Sequence, residues 1–127
     1  MISFAELVLG TGSPIYWQII LYLKRGIAAG TIENGDELPS RRVLSALLGV
    51  NPNTIQKAYR LLEEEGLICS HAGAKSYIQV SPAQMAAIRR QLLEQEAKNL
   101  VTAMKQMGVT MEEAAGLIEQ LWKEETP

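Results

Sequence analysis

Residues 38–62 gather four basic side chains and no acidic one, a pattern that suits binding to phosphate. Arg41, Arg42, Lys57 and Arg60 lie in this acid-free segment, although the whole chain of 127 residues has a formal net charge of -2. Guanidinium and ammonium groups bind phosphate oxygens, so a local cationic face predicts contact with a nucleic-acid backbone even in an acidic chain. The alternative is a solvated polar face, the commoner fate of exposed polar residues.

The other polar residues form no recognisable catalytic or metal-binding pattern. One histidine and scattered carboxylates supply neither a catalytic triad nor a paired acid and base. No cluster has the spacing of metal ligands, and no glycine-rich phosphate loop occurs. The sequence therefore predicts a chain that is not an enzyme and that has no metal or cofactor.

A helix-turn-helix is predicted to position the basic residues. Ser40 can cap a helix over 41–48 that Gly49 ends, and Asn51 can cap a further helix with Pro52 in its first turn. Residues expected to face inward are Leu44, Leu47 and Leu48 in the first of these helices and Ile55, Ala58, Tyr59 and Leu62 in the second.

The outward side of the second of these helices carries residues that can read DNA. Asn53 and Gln56 can each pair bidentately with adenine, and Thr54 can touch a phosphate or a thymine methyl group. Lys57 and Arg60 can serve guanine or phosphate oxygens. The helix at residues 51–65 is therefore predicted to be the recognition helix.

Another helix is predicted before this pair. Pro14 suits its first turn and Gly30 suits its end, with apolar residues at helical spacing between them. Tyr16 and Trp17 on this helix are expected to pack against the core. A platform on which bases stack is the alternative.

A short β-hairpin is predicted after the recognition helix. Gly66 suits the helix end, the run 67–69 suits a strand, and residues 76–80 suit the returning strand. A helix-turn-helix followed by a hairpin is a winged helix, whose hairpin can lie along the DNA backbone. Cys69 is expected to be a small buried residue of the hairpin, with redox sensing as the alternative.

Residues 14–80 resemble the winged-helix domain of the GntR family of bacterial transcription regulators. The matching motifs are Pro-Ile-Tyr-x-Gln-Ile at 14–19, Gly-Asp-x-Leu-Pro-Ser-x-Arg at 35–42, Leu-Gly-Val at 48–50 and Leu-Glu-x-Glu-Gly-Leu-Ile at 62–68. The run at 51–59 is similar to that of the YtrA-like subgroup. The resemblance implies dimers whose short C-terminal helical pair replaces a large effector domain.

The resemblance also implies DNA-binding residues in both helices and in the wing. It implies that Arg42 contacts DNA and that Gly73 shapes the wing. Arg41 and Arg60 are predicted to bind DNA from their positive charge and not from the resemblance. His71 and Lys75 stand where the family commonly has Arg and a second Gly. Lys75 can still neutralise a phosphate, and His71 could make binding pH-dependent or be a solvated loop residue. The predicted DNA-binding residues are Ser40, Arg41, Arg42, Asn51, Asn53, Thr54, Gln56, Lys57, Arg60, His71, Gly73 and Lys75.

From Ser81 onward two amphipathic helices are predicted. Ser81 and Pro82 can start a long helix that Gly108 ends, and Thr110 can cap a last helix. Two helices cannot bury such broad apolar faces on each other alone, so a second identical subunit is predicted to cover them. The predicted dimer interface consists of Ile88, Leu92, Leu100, Met104, Leu117, Ile118, Leu121 and Trp122.

The predicted fold class is mostly α with a small β-hairpin. Residues 1–80 form a winged helix-turn-helix DNA-binding domain, and residues 81–127 form a C-terminal helical hairpin for dimerisation. The predicted function is a homodimeric regulator, a repressor rather than an activator, that binds a palindromic operator in double-stranded DNA.

Two alternative functions remain open. One is a regulator that responds to an unknown small-molecule effector held between the C-terminal helices, where methionines at 85, 104, 107 and 111 could line a pocket. The other is a winged helix used for protein–protein assembly. No apolar run approaches the roughly 20 residues that span a bilayer, and a single cysteine forms no internal disulfide, so no membrane partner and a cytoplasmic location are predicted.

Overall fold

The computed structural model describes residues 1–70 and 75–125, which form five helices and one small sheet. The elements are α1 (Ile15–Ala29), β1 (Glu37–Leu38), α2 (Arg41–Leu48), α3 (Pro52–Glu64), β2 (Ile68–Ser70), β3 (Ser76–Ile78), α4 (Pro82–Gln106) and α5 (Met111–Glu124). This is the predominantly helical winged-helix architecture with C-terminal helices that the sequence predicts.

The ends of α2 and α3 follow from side-chain and glycine caps. Ser40 Oγ accepts a hydrogen bond from the Val43 amide at 3.1 Å, and Asn51 Oδ1 accepts one from the Asn53 amide at 2.8 Å. Gly49 ends α2 with φ of 67°, a left-handed conformation that costs glycine little. The turn between the helices is therefore set by local chemistry.

The core of the N-terminal region lies where α1 and α2 pack against α3. Isoleucine and leucine side chains at helical spacing fill it, and burial of this kind is the main term that stabilises a small domain. The largest fully buried side chains are Ile19, Leu23 and Ile27 of α1, Leu44 of α2, and Ile55 and Leu62 of α3.

Two residues expected to pack inward are exposed instead. Leu47 is 69% exposed, because Leu44, Ser45 and Leu48 form the inward face of α2 and Leu47 lies roughly a third of a turn from the middle of that face. Trp17 is 44% exposed and is displaced by a similar angle from the buried face of α1. Both predictions of core packing were wrong.

The sheet has three antiparallel strands in the order β1-β3-β2, one more than the predicted hairpin. Glu37 pairs with Tyr77, and Ile68 pairs with Ile78. The two-residue β1 was missed because Asn34-Gly35 is a turn signal and the pairing partner of β1 lies far along the chain. The sheet thereby ties the wing to the segment that precedes α2.

The first residues form an arm along α1. The Phe4 and Tyr22 rings lie 5.2 Å apart, and the Tyr22 hydroxyl donates to the Ser3 carbonyl at 2.8 Å. Gln18 holds the following loop through hydrogen bonds to Gly10 and Ser13.

A buried hydrogen bond joins α3 to the segment just before α2. The Tyr59 hydroxyl donates to the Pro39 carbonyl at 2.7 Å, and both residues are buried. Burial raises the pKa of the Tyr59 phenol, against a smaller lowering by Arg41. The bond therefore has a neutral donor and holds Ser40 and its neighbours beside α3.

Tyr59→Phe is expected to lower the free energy of unfolding by about 1–3 kcal/mol at neutral pH, because the buried Pro39 carbonyl loses its donor. Above the ordinary phenol pKa of about 10, the unfolded chain loses this proton before the folded protein does, so wild-type stability falls as pH rises. The Phe variant should lack that part of the decline.

Urea unfolding at neutral pH and above pH 10 measures both effects. Tyr22→Phe is the matched control, since its hydroxyl bonds an exposed carbonyl that water can satisfy. An equal loss of stability in the two variants would contradict the role of the buried bond.

The structure divides into two compact units, Met1–Arg90 and Gln91–Pro127, with the division inside α4. The predicted domain boundary at 80/81 stays a prediction. Immediately before α4, Ser81 Oγ accepts a hydrogen bond from the Gln84 amide, and Gln84 Oε1 accepts one from the Ser81 amide. In the second unit, Thr110 Oγ1 accepts from the Glu113 amide at 3.2 Å and starts α5. Within residues 1–70 and 75–125, no helix has the length and apolar character needed to cross a bilayer.

Candidate nucleic-acid interface

The outer side of α3 displays the polar residues predicted to read DNA. Asn53, Lys57 and Arg60 are exposed, and Thr54 and Gln56 are half-buried. Their position follows from the inward stripe of the helix, since Ile55, Ala58, Tyr59 and Leu62 are all buried. The predicted inward and outward sides of this helix are therefore the observed ones.

Asn51 and Ser40 serve as caps as well as candidate contacts. The side-chain Oδ1 of Asn51 accepts a hydrogen bond from the Asn53 backbone amide, and the side-chain Oγ of Ser40 accepts one from the Val43 backbone amide. In these arrangements the Asn51 amide group and the Ser40 hydroxyl can still donate hydrogen bonds. Each residue can therefore donate a hydrogen bond to a phosphate while its side-chain oxygen continues to cap the helix.

Arg41 and Arg42 occupy the first turn of α2 and are exposed. Cations are unfavourable at a helix N-terminus, where the backbone N–H groups already present partial positive charge. Two arginines placed there break a local preference, as residues at binding sites often do. The same combination of N–H groups and guanidinium groups attracts an anion.

The cations of the acid-free segment and wing differ in how far acidic neighbours compensate their charge. Arg60 Nε lies 3.9 Å from Glu64 Oε1, and Lys75 Nζ lies 3.6 Å from Glu37 Oε1. Among the described residues, no carboxylate forms an ion pair with Arg41, Arg42 or Lys57. These three cations therefore keep their full charge for an external anion.

Lys57 instead contacts an aromatic ring. Its Nζ lies 4.1 Å from the centroid of the Tyr16 ring, within the range of a cation–π interaction. Tyr16 shares the side of α1 that carries Ile19 and Leu23, at spacings of three and seven residues, and this periodicity was the available sequence signal. The contact itself was missed, because no local pattern states which residue of α3 the ring meets.

The glutamates at the end of α3 are exposed, and one of them has a structural role. Glu65 Oε2 lies 2.9 Å from Lys24 Nζ, and the Lys24 side chain is only 14% exposed. This ion pair ties α1 to the C-terminal end of α3. The acidic charge thus gathers at the opposite end of the helix from Asn51.

The wing contributes one described candidate. Lys75 lies immediately before β3 and is exposed, with its partner Glu37 on β1. His71 and Gly73, the other predicted wing residues, lie outside the described residues. Cys69, predicted to be buried, is half-buried in β2.

A second surface lies in the C-terminal unit. Between α4 and α5 runs an open groove of about 550 Å³, and its lining is apolar except for Glu125. Trp122 in this groove is 76% exposed. The lining residues are Leu100, Met104, Leu117, Ile118, Leu121, Trp122 and Glu125.

The structure brings six of the eight predicted interface residues to this groove. Leu92 is half-buried and lies outside the groove lining. Ile88 is only 7% exposed and belongs to the first unit, so its side chain is already buried within its own chain. Of the four methionines considered for an effector pocket, Met104 alone lines this groove.

In the part of the chain that the structure describes, no group of three or more His, Cys, Asp or Glu side chains is arranged to hold a metal ion.

A further cleft lies between the N-terminal arm and the C-terminal half of α1. It has a volume of about 740 Å³ and is lined by residues that include Tyr22 and Arg25.

Comparisons with known proteins agree on one family. The family model described as bacterial regulatory proteins, gntR family, matches residues 15–78. The HTH-type transcriptional repressor YtrA of Bacillus subtilis is 32% identical over 112 residues, which cover 87% of this chain and 86% of that protein. The HTH-type transcriptional regulator GgaR of Escherichia coli is 38% identical over 61 residues, but these are only 25% of its length.

Solved structures show the same fold over most of the chain. A GntR family transcriptional regulator from Listeria monocytogenes superposes with a TM-score of 0.79 at 32% identity, covering 88% of this chain and 98% of that chain. YtrA from Sulfolobus acidocaldarius, a GntR-family transcription factor, has a TM-score of 0.54 at 28% identity, covering 94% and 97%. The likeness therefore includes the C-terminal helices.

Proposed function

The chain belongs to the gntR family of bacterial regulatory proteins, and from this premise we propose that it is a homodimeric transcriptional repressor of a roughly palindromic operator. The observation that carries the proposal is the surface formed by α2 and α3. There Arg41, Arg42 and Lys57 have no acidic partner among the described residues, and they lie on the same helix pair as Asn53 and Gln56.

In this proposal α3 enters the major groove. Asn53 and Gln56 donate to and accept from base edges, and Thr54 contacts a phosphate or a thymine methyl group. Arg41, Arg42 and Lys57 neutralise backbone phosphates and fix the register of the helix. Arg60 has a weaker role, because Glu64 offsets part of its charge.

A dimer is proposed because one α3 reads only a half-site. The apolar groove between α4 and α5 leaves Leu117, Leu121 and Trp122 substantially exposed, which is costly in water and favourable against a second copy of the same surface. Two recognition helices related by a twofold axis match half-sites one helical turn, or a multiple of it, apart.

Repression is proposed as a steric effect of the bound dimer on a promoter. The support is the relative from Bacillus subtilis, whose name is that of a repressor and which this chain resembles over most of both lengths. The relatives are transcription regulators rather than enzymes, in keeping with a binding surface as the functional site. A regulator of this kind acts on the chromosome, so we place the protein in the cytoplasm.

Binding to a promoter fragment is expected to fall steeply with salt. If each subunit neutralises three phosphates through Arg41, Arg42 and Lys57, a dimer displaces about six counterions, and log Kd should change with log salt with a slope of about 5. Affinity should therefore drop about a thousandfold between 50 and 200 mM salt.

Fluorescence anisotropy over a salt series measures this slope. A fragment of equal length and scrambled sequence is the control, which should bind more weakly at every salt concentration. Absence of binding to either fragment at low salt would overturn the DNA-binding proposal and favour a protein–protein role for the winged helix.

A further inference from the structure

Two side-chain contacts connect α1 to α3 at matching positions. The Lys57 ammonium lies 4.1 Å from the centroid of the Tyr16 ring, and Lys24 Nζ lies 2.9 Å from Glu65 Oε2. From the first contact to the second, both helices advance by the same eight residues, roughly 12 Å along a helix. The helices therefore run side by side in the same direction, and the start of α1 lies beside the middle of α3.

The Tyr16 ring is a well-supported platform for a cation. It lies on the side of α1 that also carries the buried residues Ile19 and Leu23, and the ring is itself half-buried. Its π face carries negative electrostatic potential, which attracts the ammonium group. Lys57 is exposed on the other helix and would otherwise sample many rotamers.

The Tyr16 ring differs from a carboxylate because it does not neutralise the positive charge of the lysine that it contacts. Glu64 compensates part of the charge of Arg60, whereas a neutral ring orders Lys57 and leaves its full positive charge. The ammonium group also has three N–H donors, and those directed away from the ring can bind an anion. Lys57 is thus both ordered and uncompensated.

We propose that Tyr16 is a positioning residue for DNA binding, which holds Lys57 in place for a backbone phosphate oxygen. This inference rests on the proposed function and deepens it, because it assigns a role to a residue of α1 outside the helix-turn-helix. Ordering the lysine before binding lowers the entropy lost when the phosphate contact forms.

A double-mutant cycle tests the proposal. The variants are Tyr16→Leu, Tyr16→Phe, Lys57→Met and the combination of Tyr16→Leu with Lys57→Met, with Kd measured on a selected operator at fixed salt. A lost cation–π contact weakens binding by about two- to fivefold per subunit, or about four- to twenty-five-fold for a dimer on two half-sites. Tyr16→Phe should bind like wild type, because its ring keeps the π face.

The Lys57→Met background separates positioning from general stability. There, Tyr16→Leu should have no further effect on Kd, and Lys57→Met itself should lower the salt slope by about one per subunit. Equal losses from Tyr16→Leu in both backgrounds would overturn the proposal, since they would indicate a structural role. Tighter binding by Tyr16→Leu would also overturn it, because the ring would then be withholding Lys57 from DNA.

A measurement without DNA keeps the geometry testable. The Lys57 ε-methylene protons should show an upfield ring-current shift in the NMR spectrum of the free protein, and Tyr16→Leu should remove it. If wild type binds DNA but does not show that shift, the inference about Tyr16 is overturned and the proposed function is not. Failure of wild type to bind DNA at low salt would instead overturn the proposed function.

Discussion

Leu117→Asp is expected to turn the proposed dimer into a monomer and to weaken operator binding by about 10²–10⁴-fold. Leu117 lines the apolar groove of the C-terminal unit, where a carboxylate facing a second subunit would lose its hydration without gaining a partner. A monomer then binds one half-site and loses the high effective concentration that the second recognition helix has in a dimer. The variant should still fold, because Leu117 is partly exposed in the single chain.

Sedimentation velocity and anisotropy on the same samples measure the two effects. Ala115→Asp is the matched control, since it introduces the same side chain on an exposed position of α5 that does not line the groove. A dimer that persists in Leu117→Asp would place the interface elsewhere. If the wild-type protein sediments as a monomer, the result would favour the alternative function, in which the groove binds a small-molecule effector.

Gln56→Ala is expected to cost about 1–3 kcal/mol per half-site and to relax the preference at one base pair. Gln56 is half-buried on the outer side of α3. Its neighbour Ile55 is buried in the core, and this packing fixes the position of the helix backbone that carries Gln56. An amide that pairs with adenine through two hydrogen bonds discriminates against the other bases, and alanine removes that discrimination.

Arg42→Ala is the comparison that distinguishes a base contact from a phosphate contact. It should weaken binding to all sequences alike and lower the salt slope by about one per subunit, because a phosphate contact carries no sequence information. Selection of bound DNA from a random pool with wild type and both variants measures the difference. An unchanged consensus for Gln56→Ala would show that this residue does not read a base.

The local structure of the helix-turn-helix could be predicted because its signals are local. Ser40 and Asn51 cap helices through amides two or three residues away, and Gly49 adopts a left-handed conformation that other residues avoid. These interactions need no distant partner, so the predicted bounds of α2 are the observed ones. The residues on the outer side of α3 could likewise be predicted from the spacing of its apolar residues.

Contacts between elements could not be predicted from such signals. Strand β1 exists only because β3 provides its hydrogen-bond partners, and Leu47 is exposed because α2 turns a different side toward α3 than its leucines suggest. Ile88 has the same apolar character as the groove residues, yet it is buried within its own chain.

The sequence by itself determined the family, the helix-turn-helix and the acid-free segment, because motifs, caps and charge are properties of neighbouring residues. Tertiary structure decided which cations keep their charge. Glu37 lies close to Lys75, and Lys57 meets the neutral ring of Tyr16, although each pair is far apart in the sequence. The pair of Arg60 with Glu64 is local, since the two residues are four positions apart on one helix. Electrostatic interactions depend on distances in space, and helix and sheet packing brings together residues that are far apart in the sequence.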